Sequence, residues 1–501
     1  MGTTWRMRGP RDTGPLMRKV PNTIGRIAFC AALTALGTTA ASPPAHGNPF
    51  DVYGLGARSA AMGNAGAATA DDFSATYYNP AGLALAQPSF NAGLMMTYDD
   101  VAIRLKDRPD GYDLPDLGAK SPLIPSKYRL SPRTDTKDIP NTYALQLGGV
   151  VAPWLEELRV GFAVGMPFNS VGEQTTRYAD EREQYFSNRL DFELLGHRQQ
   201  QMSVLVAAAY RVTDWLAVGF GTSLLPNSAT RAGVYLADAA RQDQIQMTVQ
   251  NQQKWNPTVH AGVLVSPSAR LALGLSWRGQ NAFSLDIRND VQIKGFQGSS
   301  ASFPVPQAAN FVVNFTPHQF TAGAAYKSGQ MLGTVDVIRS LWSHYLDSVG
   351  DPARFSDTWS VRTGGQWQAT DHSQLYAGLR YEQSPVPDQT GRTNYVDNDR
   401  AGLSGGARHR FQVGDRALDV GWFVQVQRLL ARDTNKTPGA YAACTPGATA
   451  VCDEIADGQK DPVTGKAVVQ AQGLQTGNPG FPGFLSWGTI FSVGVDLRVA
   501  F

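Results

Sequence analysis

The chain has 501 residues and a formal net charge of +2, which excludes the broad basic surface of a nucleic-acid-binding protein. Hydrophobic residues make up 42% and charged residues only 17%, below the roughly 25% of a soluble domain. After the N-terminus no uninterrupted apolar stretch reaches the roughly 18 residues of a membrane helix, which excludes a helical membrane bundle. These numbers favour a large β-rich protein that presents its apolar surface in alternation, as a membrane β-barrel does.

Residues 1–47 have the pattern of an export signal peptide. The basic region contains Arg18, Lys19 and Arg26, and the apolar core is residues 27–36. The small-x-small cleavage site is Ala45-His46-Gly47. Because the first sixteen residues lie upstream of this pattern, we expect translation to begin at Met17.

Residues 48–86 differ from the rest of the chain, because they are dense in glycine and alanine and show no strand alternation. Asp71 or Asp72 is placed to cap a short helix through Tyr78, and Pro80 ends it. Small residues permit tight packing of short helices, so we predict a compact plug inside a lumen. A flexible linker is the alternative.

Residues 87–501 repeat one unit, in which an alternating strand of about ten residues leads through a short turn to a returning strand and then to a longer polar segment. We predict an all-β fold, a transmembrane antiparallel β-barrel of about fourteen strands with the N-terminal plug in its lumen. The strands are 89–100, 142–153, 158–168, 199–212, 215–228, 245–266, 270–288, 316–328, 330–343, 357–369, 373–385, 402–413, 416–430 and 486–501.

Short connections with turn-forming residues recur between these strands, and we place them at the periplasmic end, where barrel turns are short. They are Val212–Trp215, Ser266–Ala269, Ala369–His372 and Val413–Arg416. The apolar face of each strand is expected to meet lipid, and the face rich in glycine, arginine, aspartate and glutamine is expected to line a wet lumen.

The last strand has the clearest alternation of the chain. Its apolar face consists of Phe491, Val493, Val495, Leu497, Val499 and Phe501. An aromatic residue at the very end of such a strand resembles the signal by which barrel assembly machinery recognises outer-membrane proteins. We therefore expect residues 487–501 to close the barrel against residues 89–100.

Cys444 and Cys452 are the two cysteines left after cleavage, and they lie in a turn-rich segment. In an exported protein we predict a disulfide that closes a short surface loop. A metal site would need further ligands nearby, and none is evident, so we predict no metal and no cofactor.

Residues 54–84 resemble the N-terminal hatch of the FadL family of outer-membrane transporters, which includes channels for long-chain fatty acids and aromatic hydrocarbons. The matching elements are the glycine-rich opening, the Ala-Asp-Asp step, and the motif Asn79, Pro80, Ala81 and Gly82. The resemblance implies a fourteen-stranded barrel behind a hatch, in the outer membrane of a Gram-negative bacterium. We expect a monomer in outer-membrane lipid.

The same resemblance implies that an apolar ligand leaves sideways through a kink in the third strand. In this sequence the candidates for that kink are Gly161, Gly165 and Pro167, because proline cannot donate to the strand ladder and glycine weakens it. The alternative is that Pro167 only ends the strand.

Ligand contacts also follow from the resemblance, since the N-terminus of the hatch reaches towards the ligand in that family. We expect Phe50, Val52 and Tyr53 to contact ligand. Phe186 and Phe192 lie in an amphipathic loop that forms either an outer capture groove or an ordinary rim contact.

Three other kinds of protein are alternatives. The chain contains no H-E-x-x-H, C-x-x-C or P-loop motif, and its histidines are scattered, so an enzyme is not expected. A general diffusion porin would lack the glycine- and alanine-rich hatch. A secretion-associated or structural barrel remains the alternative function, because only the long loops argue against it.

Overall fold

The computed structural model describes residues 49–106, 142–153, 155–167, 178–179, 189–190, 202–225, 232–236, 245–249, 256–289, 307–345, 354–388, 395–414, 416–436 and 483–501. The predictions for the export signal, for Phe186 and Phe192, and for the disulfide between Cys444 and Cys452 lie outside these residues. No helix in the described part of the chain is long and apolar enough to cross a membrane.

Fourteen antiparallel strands form one closed barrel in chain order. They are β1 (Ser89–Leu105), β2 (Thr142–Val151), β3 (Leu158–Pro167), β4 (Ser203–Thr213), β5 (Leu216–Leu225), β6 (Asn256–Ser268), β7 (Leu271–Arg278), β8 (Gln319–Ser328), β9 (Met331–Ser340), β10 (Thr358–Gln368), β11 (Ser373–Glu382), β12 (Arg400–Val413), β13 (Arg416–Asn435) and β14 (Gly483–Ala500). β14 pairs with β1 from Ser89–Ala500 to Leu105–Phe484, so the predicted strand number and closing pair are confirmed.

Two predicted strands were too long, because parts of them lie in small sheets outside the ring. The predicted strand 245–266 includes Ile245–Val249, which pairs with Ala232–Leu236. The predicted strand 270–288 overlaps Asn281–Asn289, which pairs with Gln307–Thr316. The alternation of apolar and polar residues continues through such segments, but their residues have no pairing partner in the barrel. Arg278, the last residue of β7, already pairs with Gln319, the first residue of β8.

Inward and outward faces alternate along the strands as predicted. On β14, Leu497 is 47% exposed, whereas its neighbours Asp496 and Arg498 are 6% and 7% exposed. Large aromatic residues such as Trp215, Tyr326 and Trp367 are exposed on the outside near the short turns. This outer surface has the composition of a lipid-facing belt with an aromatic girdle.

The short connections all lie at one end of the barrel. Gly329 and Gly414, in the turns that follow β8 and β12, have φ of +58° and +59°, a conformation that glycine adopts without strain. Short turns mark the periplasmic end of a barrel, so the opposite end faces the outside of the cell.

Residues 49–88, which we call the inner segment, lie within the ring of strands. They form α1 (Pro49–Tyr53), α2 (Ala57–Ala61), α3 (Ala75–Tyr78) and a 3-10 turn (Pro80–Leu85). The Asp72 carboxylate accepts hydrogen bonds from the Ser74 backbone N–H and hydroxyl, at 2.8 and 2.6 Å, directly before α3. The Asn79 side chain accepts from the Ala81 N–H at 3.1 Å and so caps the turn that Pro80 begins.

Candidate functional site

Glycines on the inward faces of nine strands allow the inner segment to approach the wall. A Cβ atom on any of them would lie closer than 3.0 Å to an atom of the inner segment: Gly148, Gly161, Gly165, Gly219, Gly262, Gly274, Gly323, Gly364, Gly378 and Gly406. The interpretation of glycine-rich inward faces as the lining of a wet lumen is therefore wrong at this level. These glycines are contact points with a packed segment, since side chains there would occupy its space.

Polar wall residues satisfy backbone groups of the inner segment. Asp496 of β14 accepts from the Ala57 N–H at 2.9 Å, and Asp336 of β9 accepts from the Ala67 N–H at 2.9 Å. The Ser404 hydroxyl on β12 accepts from the Gly63 N–H and donates to the Ala61 carbonyl, at 3.0 and 2.8 Å. Each bond contributes about 0.5–1.5 kcal/mol, and loss of one buried partner costs about 1–3 kcal/mol.

Asp51 in α1 lies among arginines of the wall. Its carboxylate is 3.6 Å from Arg278 and 3.7 Å from Arg362, and Arg380 donates to its backbone carbonyl at 3.2 Å. Arg278 also lies over the Tyr77 ring, 3.8 Å from the centroid. These contacts fix the first helix against β7, β10 and β11.

A second charged pair lies beside this group. Arg400 of β12 donates to the Glu382 carboxylate at 2.5 Å and is 2% exposed. Arg380 Nη2 and Arg400 Nη1 are buried nitrogens with no hydrogen-bond acceptor in the described part of the chain. The region around α1 therefore holds guanidinium groups with unused donors.

An apolar cluster covers the extracellular side of α1. It includes Val52 and Tyr53 of α1 together with Val101, Ile103, Val396, Leu429, Phe484 and Ile490, all at most 1% exposed. We call these eight residues the upper apolar cluster. Val52 and Tyr53 are two of the three ligand contacts that were predicted in or next to the inner segment. The six barrel and loop residues of this cluster were not predicted as site residues, because the alternation pattern assigns polar side chains to the inward face of each strand. The signal was present in β1, where the inward residues Val101 and Ile103 are apolar.

Phe50, the third predicted contact, lies elsewhere, against β3. Its ring packs edge-on to Tyr77, with centroids 5.2 Å apart, and occupies the space beside Gly165. Leu83 and Thr76 occupy the corresponding space beside Gly161. The structure thus places a predicted ligand contact, Phe50, against a predicted kink residue, Gly165.

β3 itself pairs regularly on both sides. Its ladder with β2 runs from Val151–Val160 to Ala144–Pro167 and its ladder with β4 from Leu158–Tyr210 to Gly165–Ser203, both without a register shift. Pro167 is the last described residue of the strand. No break in the ladder marks a kink within β3, and the lateral exit stays a prediction.

At the periplasmic end a polar cavity of about 460 Å³ lies beneath the inner segment. Arg58, Asp71, Gln366, His372 and Arg410 are among the residues that line it. Its walls are ion-paired, with Arg58 2.6 Å from Asp71 and Arg410 2.7 Å from Asp419. Such a lining suits water and polar solutes and offers little apolar surface to a hydrophobic one.

An aromatic cluster closes part of the extracellular end. It consists of Phe315, Trp342, Tyr345, Phe355, Val386 and Tyr395. The Tyr345 and Phe355 rings stack with centroids 4.5 Å apart, and the hydroxyls of Tyr345 and Tyr395 are 3.1 Å apart. The cluster joins three connections between strands, and nothing in the alternation pattern predicted it.

The remaining site predictions concern the hatch motif and the C-terminus. Asn79 donates to the Ala67 carbonyl at 2.7 Å and to the Val263 carbonyl of β6 at 3.1 Å, while Gly82 packs closely on the Ala70 carbonyl. Phe501 is 68% exposed, and its N–H donates to the Pro88 carbonyl at 3.2 Å, beside the closing pair of strands.

The family model described as outer membrane protein transport protein (OMPP1/FadL/TodX) matches residues 38–452. A FadL homologue from Pseudomonas aeruginosa has a similar structure, with a TM-score of 0.57 and 16% sequence identity, over 91% of this chain and 98% of that one. The Pseudomonas putida toluene transporter TodX gives 0.52 and 14%, over 90% and 99%. No curated protein sequence matches the chain.

Proposed function

Because the chain belongs to the OMPP1/FadL/TodX family of outer membrane transport proteins, we propose that it takes up hydrophobic small molecules across the outer membrane of a Gram-negative bacterium. The observation that carries the proposal is the upper apolar cluster, which places inward-facing apolar side chains directly on the extracellular side of the inner segment. A hydrophobic solute gains about 0.8 kcal/mol for each CH₂ group that leaves water there. A wet, unplugged pore would offer no such gain.

Long-chain fatty acids fit this site better than neutral hydrocarbons. Val52 and Tyr53 belong to the upper apolar cluster, and Asp51 beside them is surrounded by Arg278, Arg362 and Arg380. The unused donors of Arg380 and Arg400 suit a carboxylate, which accepts charge-assisted hydrogen bonds from guanidinium groups. An apolar tail with an acidic head group would use both halves of the site.

We propose a sideways exit at β3 rather than an axial one. The inner segment fills the axial route against nine strands, and the cavity beneath it is polar and ion-paired. At β3 the seal is made by apolar groups, with Phe50 against Gly165, and Leu83 and the Thr76 methyl group against Gly161. Displacing apolar side chains opens a path that suits an apolar solute.

Ligand binding and glucose permeability test the uptake proposal and the fatty-acid preference. The purified chain is expected to bind labelled oleate more tightly than hexadecane, and Arg380→Gln is expected to weaken oleate binding at least fivefold while hexadecane binding stays unchanged. In liposomes, glucose flux is expected to remain at the protein-free level. Ready glucose flux, or no binding of either probe, contradicts the uptake proposal, whereas equal binding of both probes contradicts only the fatty-acid preference.

A further inference from the structure

We infer that the outer surface of the barrel carries a binding site for the phosphate groups of an outer-leaflet glycolipid, formed by Arg104, Trp487, Thr489 and Arg428. The site lies on the lipid-facing side of β1, β14 and β13 at their extracellular ends. It is independent of what passes through the lumen, since none of its residues faces inward.

The position of Arg428 follows from the alternation of β13. The outward residues Leu418, Val420, Trp422, Val424 and Val426 are all apolar, and Arg428 is the next outward residue. Leu418 to Val426 is about 27 Å of strand, which tilt shortens to about 20 Å, close to the roughly 25 Å apolar band of such barrels. Arg428 is therefore the first polar residue at the level of the outer-leaflet head groups.

Two guanidinium groups flank one tryptophan at this level. The Arg104 guanidinium carbon is 5.6 Å from the centre of the Trp487 ring. Arg428 donates to the Thr489 hydroxyl at 2.9 Å, and Thr489 lies two residues beyond Trp487 on the same face of β14. β14 lies between β1 and β13 in the ring, so the two arginines approach this face from opposite sides.

The charges of this surface are only partly balanced. Within the described residues neither Arg104 nor Arg428 has a carboxylate within 4.0 Å, whereas Lys106 is paired with Asp433. Asp100, directly across from Thr489, is another exposed carboxylate nearby. A second outward arginine–tryptophan pair provides the contrast, since Arg339 lies over Trp359 at 4.9 Å but is already paired with Asp357 at 3.0 Å.

Phosphate is the partner that this arrangement suits. Guanidinium groups bind phosphate oxygens through paired hydrogen bonds, and tryptophan favours the boundary between acyl chains and head groups. The outer leaflet presents a phosphorylated glycolipid at this level, so two arginines and an intervening ring meet phosphate, sugar and acyl chain together.

The test measures binding of lipid A carrying two phosphates, and of the same lipid with both phosphates removed, to the full chain in detergent micelles. The wild-type chain is expected to prefer the phosphorylated lipid at least fivefold, and the double variant Arg104→Gln/Arg428→Gln is expected to lose this preference. Arg339→Gln is the matched control and is expected to keep it. Heat-modifiable electrophoretic mobility establishes that each variant has an assembled barrel.

Two results would overturn the inference. One is a wild-type chain that binds both lipids equally. The other is a preference that Arg339→Gln lowers as much as the double variant, because this would reflect general surface charge rather than a site. If the double variant does not assemble, the single variants Arg104→Gln and Arg428→Gln are measured instead, and an unchanged preference in both contradicts the inference.

Discussion

The inner segment contacts opposite sides of the barrel wall in different ways. Towards β9, β12 and β14 it is hydrogen-bonded, through Asp336, Ser404 and Asp496. Towards β3, β4 and β5 no hydrogen bond joins it to the wall among the described residues, and the contact is made by packing, as with Phe50 beside Gly165. One side of the lumen is therefore held to the inner segment by directional hydrogen bonds, while the side at β3, β4 and β5 can separate from it without leaving buried polar groups unpaired.

The largest effect is expected when a side chain is introduced at an inward glycine that contacts the backbone of the inner segment. Gly378→Val places side-chain atoms where the Gly63 backbone lies, and a backbone cannot shift as a flexible side chain does. We expect a cost of about 3 kcal/mol or more and a loss of assembled barrel. The measurement is the heat-modifiable fraction in outer membranes.

Gly333→Val is the matched control for that change. Gly333 also lies within a strand, but it faces outward and a Cβ atom there meets nothing within 4 Å. We expect this variant to assemble normally. Equal loss of assembly in both variants would mean that glycines in the strands are needed for chain flexibility rather than for close contact with the inner segment.

A smaller effect is expected when one directional bond is removed. Ser404→Ala deprives the buried Gly63 N–H of its acceptor and should cost about 1–3 kcal/mol in the free energy of unfolding. Ser203→Ala on β4 is its counterpart on the packed side, because the buried Ser203 hydroxyl has no partner in the described residues. We expect its cost to be near zero, as measured by urea unfolding. Similar costs for both variants would remove the distinction between the two sides.

The packed side can be tested through transport. Phe50→Leu keeps an apolar side chain but leaves space beside Gly165, at an expected cost of about 1 kcal/mol. Because the seal at β3 is then looser, we expect bound oleate to leave the protein two- to fivefold faster with little change in how fast it binds. Stopped-flow displacement of a fluorescent fatty acid measures both rates. Unchanged release would argue against exit at β3.

The smallest expected effect is the pH dependence of the stability contributed by Asp357, which lies outside the inner segment, at the extracellular end. Burial acts to raise the pKa of Asp357, but the Ser343 backbone N–H and hydroxyl, together with Arg339, outweigh it and hold this pKa below its ordinary value. The stabilisation by Asp357 is therefore complete above the ordinary carboxyl pKa of about 3.9 and is lost as the pH falls below it. The side chain is partly exposed, so we expect less than about 1 kcal/mol.

Hydrogen exchange at residues 341–345 checks this pH dependence. The protection that wild type has over Asp357→Asn is expected at pH 5 and should shrink towards pH 3, while protection of α2 stays the same in both proteins. A difference between the two proteins that persists undiminished at pH 3 would contradict the assignment. Loss of α2 protection at the same pH would mean that the mouth and the inner segment unfold together.

The sequence predicted the wall far better than the contents of the lumen. Period-two alternation fixes which face of a strand meets lipid, and that was enough to locate all fourteen strands and the closing pair. It does not tell what lies opposite an inward residue. Gly378 looks the same whether it faces water or the Gly63 backbone, and Arg278 gives no sign that it will lie over Tyr77.

For the site, the resemblance of residues 54–84 to a hatch predicts ligand contacts at Phe50, Val52 and Tyr53, and these contacts stay predictions. Val52 and Tyr53 lie in the upper apolar cluster. Phe50 was grouped with them because it is close in sequence. It packs against β3 instead, since one turn of helix α1 directs neighbouring side chains to different walls.

The pairing of β1 with β14 has a consequence for the order of assembly. Ser89 and Ala500 are neighbours in the finished ring, so the ring stays open until almost the whole chain has been delivered. Because the inner segment touches strands all around that ring, we expect it to be enclosed when the seam closes, rather than inserted afterwards. A variant that lacks residues 483–501 cannot form the pairing of β1 with β14. We expect protease to cleave its inner segment, because the barrel stays open at that edge.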